Sequence, residues 1–260
     1  MASILVPGTG QYVHGAYLAG LAHSATAAAG YLAARATSSD LGLEGLPREG
    51  RDQLAYEAVH ASVTSGFISA WDAFHRAVPA LRDEGKYEFL TKRESVGDLL
   101  SAPFETDFLG RWTTWLNLAY TGVVAGVLLS GRDPGIEYEP FRARDAAFAA
   151  SLSLNAGVGE EALFRGWLLP LLHQRFGERF WLANSTQGLI FGALHAQAGA
   201  FAAVIAAWGV YEGWLTRRND WSVRESIFHH FWYDLVISAA EFLTDEREAR
   251  IRLTLPTIRF

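Results

Sequence analysis

The sequence predicts an all-α, polytopic membrane bundle of about six to eight transmembrane helices around a polar cavity. Three observations carry that expectation. Half of the 260 residues are hydrophobic and only 19% are charged, below the roughly 25% of an ordinary soluble domain. Long uncharged runs alternate with polar segments, so the mean hydropathy averages to only +0.08. Strand signals are nearly absent: the tail IRLTLPTIRF alternates, but its Pro256 argues against a central strand.

The elements follow in order. The opening MASILVPGTGQYVHGAY has no basic residue before its apolar stretch and no clear cleavage site, so it reads as mature sequence and not as a removable signal peptide. After the turn signal Pro7-Gly8-Thr9-Gly10, residues 12–34 run almost without charge until Arg35, long enough to cross a hydrocarbon core of ~30 Å. Residues 37–55 are polar and Gly-punctuated and read as a loop. Ala58 to Trp71 is a second uncharged run, interrupted by His60 and closed by Asp72, His75 and Arg76; it is marginal as a span. Residues 76–111 hold both lysines, Lys86 and Lys92, in an amphipathic setting that fits an interfacial segment. Trp112 to Gly131 is twenty uncharged residues with Trp at its mouth, the clearest span in the chain. Ala146 to Gly159 is uncharged and runs into Glu160-Glu161-Ala-Leu-Phe-Arg165-Gly-Trp-Leu-Leu-Pro170. Phe180 to Ala202 carries only His195 as an ionisable group, Ala203 to Leu215 carries Glu212, and Ser226 to Phe242 carries His229, His230, Asp234 and Glu241. Each piece is helical in length and composition. Arginines fall on several loops, so the positive-inside rule does not fix orientation.

Composition also excludes. With no Cys, disulfides, thiolate metal sites and Cys nucleophiles are ruled out. Net charge is −6 and no Lys/Arg block tracks phosphates, which argues against a nucleic-acid partner and leaves the lipid bilayer as the expected surrounding.

Ionisable groups inside apolar helices are expensive, so each is a functional candidate whose partner must be named. Glu161 and Arg165 are four apart and share a helix face, so they can pair; Glu160 is rotated about 100° away and stays available as a general base. His195 follows Phe191 by one helical turn, where Gly192 and Ala193 let another helix approach. His230 and Asp234 are again four apart, and a carboxylate one turn from a His can fix its tautomer or share a substrate oxygen. His229 points elsewhere and reads as a packing histidine. Glu212 and Glu241 have no partner legible in the sequence, and His14, His23, His60 and His75 belong to no motif. The separate structural readings, an ion pair, a solvated helix-end carboxylate and a buried His–Asp pair, explain the joint pattern poorly.

These residues resemble a known family. GEEALFRG matches EExxxR, Phe191 to His195 matches FxxxH, and His230 to Asp234 matches Hxxx(N/D), in the right order and each in an apolar helix. Together they look like the CPBP family of intramembrane proteases, which includes the CAAX prenyl endopeptidases and bacterial proteins linked to bacteriocin self-immunity. The resemblance covers residues 145–243. It implies a protease-like core, placed here at 111–243; it leaves open the function of residues 1–110, which read from their own composition as a membrane-associated region of one or two helices and an amphipathic linker, and 244–260 reads as a polar tail. It implies an integral protein of the bacterial cell (inner) membrane that hydrolyses a peptide bond in a membrane-associated protein or peptide. By the resemblance, Glu160 and His195 activate the water, His230 and Asp234 stabilise the oxyanion, and Glu161 and Arg165 hold the first motif in place. Many members have Asn where Asp234 stands. Asn donates to an oxyanion and ionised Asp repels it, so Asp234 is either protonated or orients His230.

No cofactor is required by this mechanism. Two alternatives stand beside it: a Zn-dependent protease with Glu160, His195, His230 and Asp234 as an N/O ligand set, and a non-catalytic scaffold or immunity protein. A polar cavity is expected among the helices of 146–174, 182–200 and 226–243. Substrate identity, prenylation and oligomeric state are not legible.

Overall fold

The computed structural model of the chain describes residues 2–37, 46, 47, 49–132, 138 and 140–244. The expected edge strand lies outside the described residues, as does the polar tail beyond residue 244. Among the described residues every regular element is helical: α1 (Ala2–Leu5), α2 (Thr9–Val13), α3 (Tyr17–Thr37), α4 (Gly50–Asp83), α5 (Val96–Ser101), α6 (Trp112–Ser130), α7 (Ala143–Glu161), α8 (Leu169–Arg175), α9 (Phe180–Leu194), α10 (Ala202–Arg218) and α11 (Arg224–Phe242).

In three helices, α3, α6 and α9, apolar side chains face out while polar or small residues are turned in. In α6 the buried side holds Thr113, Thr114, Asn117 and Thr121 beside Val124 and Leu128, while Trp115, Leu116, Val123 and Val127 are exposed. In α9 the buried side holds Asn184 and Gln187, and Trp181, Leu182, Leu189 and Ile190 face out. In α3 the inward positions are Gly20, Gly30 and Ala34, while Leu18, Leu21, Tyr31 and Leu32 lie outside. Water would expel such apolar surfaces, whereas lipid solvates them and leaves polar contacts to hold the helices together. Two helical stretches, Trp112–Ser130 and Ala196–Arg218, are long and apolar enough to cross a membrane. The first is the expected span; the second joins the run at 203–215 to the turn before it.

Two boundaries differ from the sequence expectation. Residues 50–55, read as loop, form the first turns of α4, which continues to Asp83 through the marginal run and past Pro79. The stretch 180–202, read as one helix, breaks after Leu194: a 3₁₀ turn follows, and Gly199 sits at φ 61°, a left-handed conformation that residues with a Cβ rarely adopt.

Helix α11 is the centre of the packing. It lies against α7, α6, α10 and the 3₁₀ turn Ala102–Phe104. α4 packs against α3 on one side and α7 on the other, and α9 pairs with α10. One core cluster joins Ile68 and Trp71 of α4 to Leu99, Val158, Ala162, Val223 and Ile227. The region before residue 111 therefore packs directly onto the helix that carries the two glutamates.

Candidate active site

Glu160 and Glu161 close α7, and the chain then passes through a π-turn, Ala162–Leu168, before α8. A π-turn inserts an extra residue into the helical repeat and leaves backbone groups to be satisfied from outside the ladder. Here His75 Nε2 lies 3.1 Å from the Gly166 carbonyl oxygen, so the ring donates to it. Gly166 is needed at that point because a Cβ there would lie 2.3 Å from the Trp71 ring.

The Glu161–Arg165 spacing survives the π-turn. Arg165 Nη1 donates to Glu161 Oε1 at 3.0 Å, and both side chains are fully buried. The guanidinium is lined by aromatic faces, with its carbon 4.3 Å from the Phe191 centroid and 5.6 Å from Trp208. These rings offer cation–π attraction to a group whose Nε and Nη2 make no hydrogen bond with any described residue.

Glu161 Oε1 also meets His230 Nδ1 at 2.9 Å, while His230 Nε2 faces Asp234 Oδ2 at 3.3 Å. An imidazole donates to carboxylates at both nitrogens when it carries two protons. His230 Nε2 is 4.0 Å from Glu160 Oε2, and that oxygen is buried with no hydrogen bond to any described residue. Trp208 stands edge-on to His230 at 5.0 Å.

His195 caps the end of α9 and is half-buried, not deep in a helix as the sequence suggested. Its Nδ1 bonds the Phe191 carbonyl at 2.8 Å and its ring lies 4.6 Å from that of Phe191. That bond fixes the proton on Nδ1 and leaves Nε2 as the free acceptor. Thus α7, the π-turn and α11 bring Glu160, Glu161, Arg165, His230 and Asp234 together as a buried group, and half-buried His195 at the end of α9 completes the cluster across the Phe191 ring.

Sequence reasoning missed several partners. His229, read as packing, bonds Glu212 Oε1 through Nδ1 at 3.2 Å and Thr114 through Nε2 at 3.2 Å; Glu212, read as partnerless, is the other half of that fully buried pair. Glu225, bound by Arg111, Thr113 and Asn219, lies 3.9 Å from His229 on the other side. His75 and Trp208 belonged to no motif. Glu225 and His229 are four apart, a spacing that could have paired them, whereas the contacts of His229 with Glu212 and Thr114 and of His75 with Gly166 join different helices and leave no periodic signal.

Two facts bear on the zinc alternative. Among the described residues no three His, Asp or Glu side chains are grouped to hold a metal ion, and both nitrogens of His230 face carboxylates already.

Residues 142–236 match the Rce1-like family model, described as type II CAAX prenyl endopeptidase Rce1-like. The match agrees with the resemblance drawn from the three short motifs. It contains all six residues of the cluster and none of α1 to α6. No curated protein and no solved structure matches the chain.

Proposed function

We propose that the chain is an intramembrane endopeptidase that hydrolyses a peptide bond of a membrane-associated protein or peptide with a water activated by Glu160 and His195. The match of residues 142–236 to a protease family supports a hydrolase, and the outward-facing apolar side chains of α3, α6 and α9 support a helical bundle solvated by lipid. On this reading α3, α4 and the five long helices from α6 to α11 supply about six to eight spans, the range set by whether the short N-terminal and α8 segments enter the bilayer.

The observation that carries the mechanism is the Oε2 oxygen of Glu160, buried without a hydrogen bond to any described residue and 4.0 Å from His230 Nε2. Glu160 takes a proton from the water as its oxygen attacks the scissile carbonyl, and His195 Nε2 accepts the water's other hydrogen bond and aims it. Negative charge then develops on the carbonyl oxygen, and the doubly protonated His230 ring stabilises it electrostatically. Asp234 serves to hold that ring and its charge, which resolves the difficulty of an aspartate in an oxyanion site. Glu161 anchors the same ring from the other nitrogen, and Arg165 balances Glu161. The proton on Glu160 passes to the leaving amine, which breaks the C–N bond and restores the carboxylate.

The test is cleavage of a quenched peptide library by the purified full chain in liposomes. Loss in both Glu160→Gln and His195→Ala supports the reading, and undiminished cleavage by Glu160→Gln contradicts it.

A further inference from the structure

A cavity of about 750 Å³ lies away from the cluster just described, between the start of α3, the last turns of α4 and the segment 90–97. Neither Glu160, His195 nor His230 lines it, and all its lining residues precede the family-matched segment. Its wall carries four permanent cations, Arg76, Arg82, Lys92 and Arg93, against two carboxylates, Asp72 and Glu94.

Both carboxylates have partners, and among those of Asp72 is one of the wall's own cations. Asp72 accepts from Arg76 Nε at 2.9 Å and from Gln11 Nε2 at 2.9 Å. Glu94 accepts from the Ser222 hydroxyl; burial pushes its carboxyl up from the usual range, against the pull of the Arg224 and Lys92 charges. Arg82, Lys92 and Arg93 are exposed and make no hydrogen bond or ion pair among the described residues. Three cations without a hydrogen bond or ion pair on one concave wall, outnumbering the one carboxylate, Glu94, left beside them, raise the local concentration of anions, and Arg in particular matches phosphate oxygens in a planar fork.

The mouth adds a second feature. The lining residues His14, Ala19 and Ala22 alternate in sequence with Val13, Leu18 and Leu21, which are exposed at 83%, 84% and 59%. A basic recess beside a bare aliphatic strip suits a ligand with an anionic head and an apolar chain.

We propose that this cavity is a binding site for a phosphate group, with the phosphate held by Arg82, Lys92 and Arg93. The source is the headgroup of an anionic phospholipid or free phosphate, and both are tested.

The experiment uses the purified full chain. Native mass spectrometry from mixed phosphatidylcholine and phosphatidylglycerol micelles reads lipid retention, and a parallel titration uses inorganic phosphate alone. The variant Arg82→Gln/Lys92→Gln/Arg93→Gln removes the cations; Ala22→Trp fills the recess without changing charge; Arg35→Gln/Arg51→Gln/Lys86→Gln removes the same charge elsewhere. At about one decade or slightly less per cation, the first triple weakens binding roughly a hundredfold. Ala22→Trp also weakens it, and the control triple stays near wild type. Retention of phosphatidylglycerol alone assigns the site to a lipid headgroup, and saturable binding of inorganic phosphate assigns it to the free ion. A loss in the cavity triple no larger than in the control triple overturns the proposal, as does the absence of binding to either probe. Because the readout is binding, its failure is distinguishable from failure of the peptidase reading.

Discussion

Removing the Arg165 guanidinium is predicted to destabilise the protein severely, and neutralising Glu161 is predicted to restore much of the loss. Both side chains are 0% exposed and 3.0 Å apart, so no solvent screening discounts the pair. Breaking a buried pair from one side costs about 3–5 kcal/mol, because the surviving charge is stranded. The Phe191 face at 4.3 Å adds about 0.5–2 kcal/mol of lost cation–π attraction. Arg165→Met should therefore cost about 3.5–7 kcal/mol, a large share of the ~5–15 kcal/mol that holds a typical fold. In the double variant with Glu161→Gln no charge is stranded, and the amide oxygen can still accept from His230 Nδ1. The coupling between the two sites should reach about 2–3 kcal/mol in favour of the double variant. Denaturant unfolding of the full chain in micelles, followed by its nine Trp, measures all four corners of this cycle. Additive losses, with no recovery on adding Glu161→Gln, would refute the account of a stranded carboxylate.

Three further outcomes are expected. Asp234→Asn should lower cleavage by about 10–100-fold, since the neutral amide no longer sustains a charged His230 ring; retained or improved turnover would instead make residue 234 an oxyanion donor. His75→Ala should strand the Gly166 carbonyl at a cost of about 1–3 kcal/mol and lower kcat more than it raises KM, with His75→Gln restoring part of the rate; wild-type kinetics in His75→Ala would remove it from the support of the π-turn. Finally, α5 is held by a reciprocal cap, in which Ser95 Oγ accepts from the Asp98 N–H while the Asp98 carboxylate accepts from the Ser95 N–H at 2.7 Å. Those hydrogen bonds hold Asp98 below the usual carboxylate range, so the contribution is present above an unfolded value of about 4 and is lost as pH falls through the lower folded value. Ser95→Ala should raise amide exchange at 96–101 about fivefold, for about 1 kcal/mol, and unchanged exchange would show that the cap contributes nothing.

Helical periodicity made part of this site legible. Glu161 with Arg165, and His230 with Asp234, are each four apart and do meet, because one helical turn brings such pairs together. The all-helical class followed equally from the uncharged runs. What the sequence could not reveal was tertiary. The bond from His230 to Glu161 spans 69 residues and that from His75 to Gly166 spans 91, so neither leaves a periodic trace. Glu212 and His229 looked unrelated because they lie on different helices, 17 residues apart. The helix break after Leu194 was masked by an apolar composition that continues through Ala202, and the length of α4 was masked by charged residues at both ends, which read as loop before it and as an interfacial segment after it. The outward turn of the apolar side chains in α3, α6 and α9 was also out of reach, since uniform apolarity does not say which face meets lipid.

The central claim is tested most directly by peptide cleavage in liposomes, with the wild type, Glu160→Gln and His195→Ala each assayed with and without a chelator. The account predicts wild-type cleavage indifferent to chelation and a loss of about 10²–10⁴-fold in each variant. Cleavage abolished by the chelator and restored by zinc, or retained by Glu160→Gln, would contradict it.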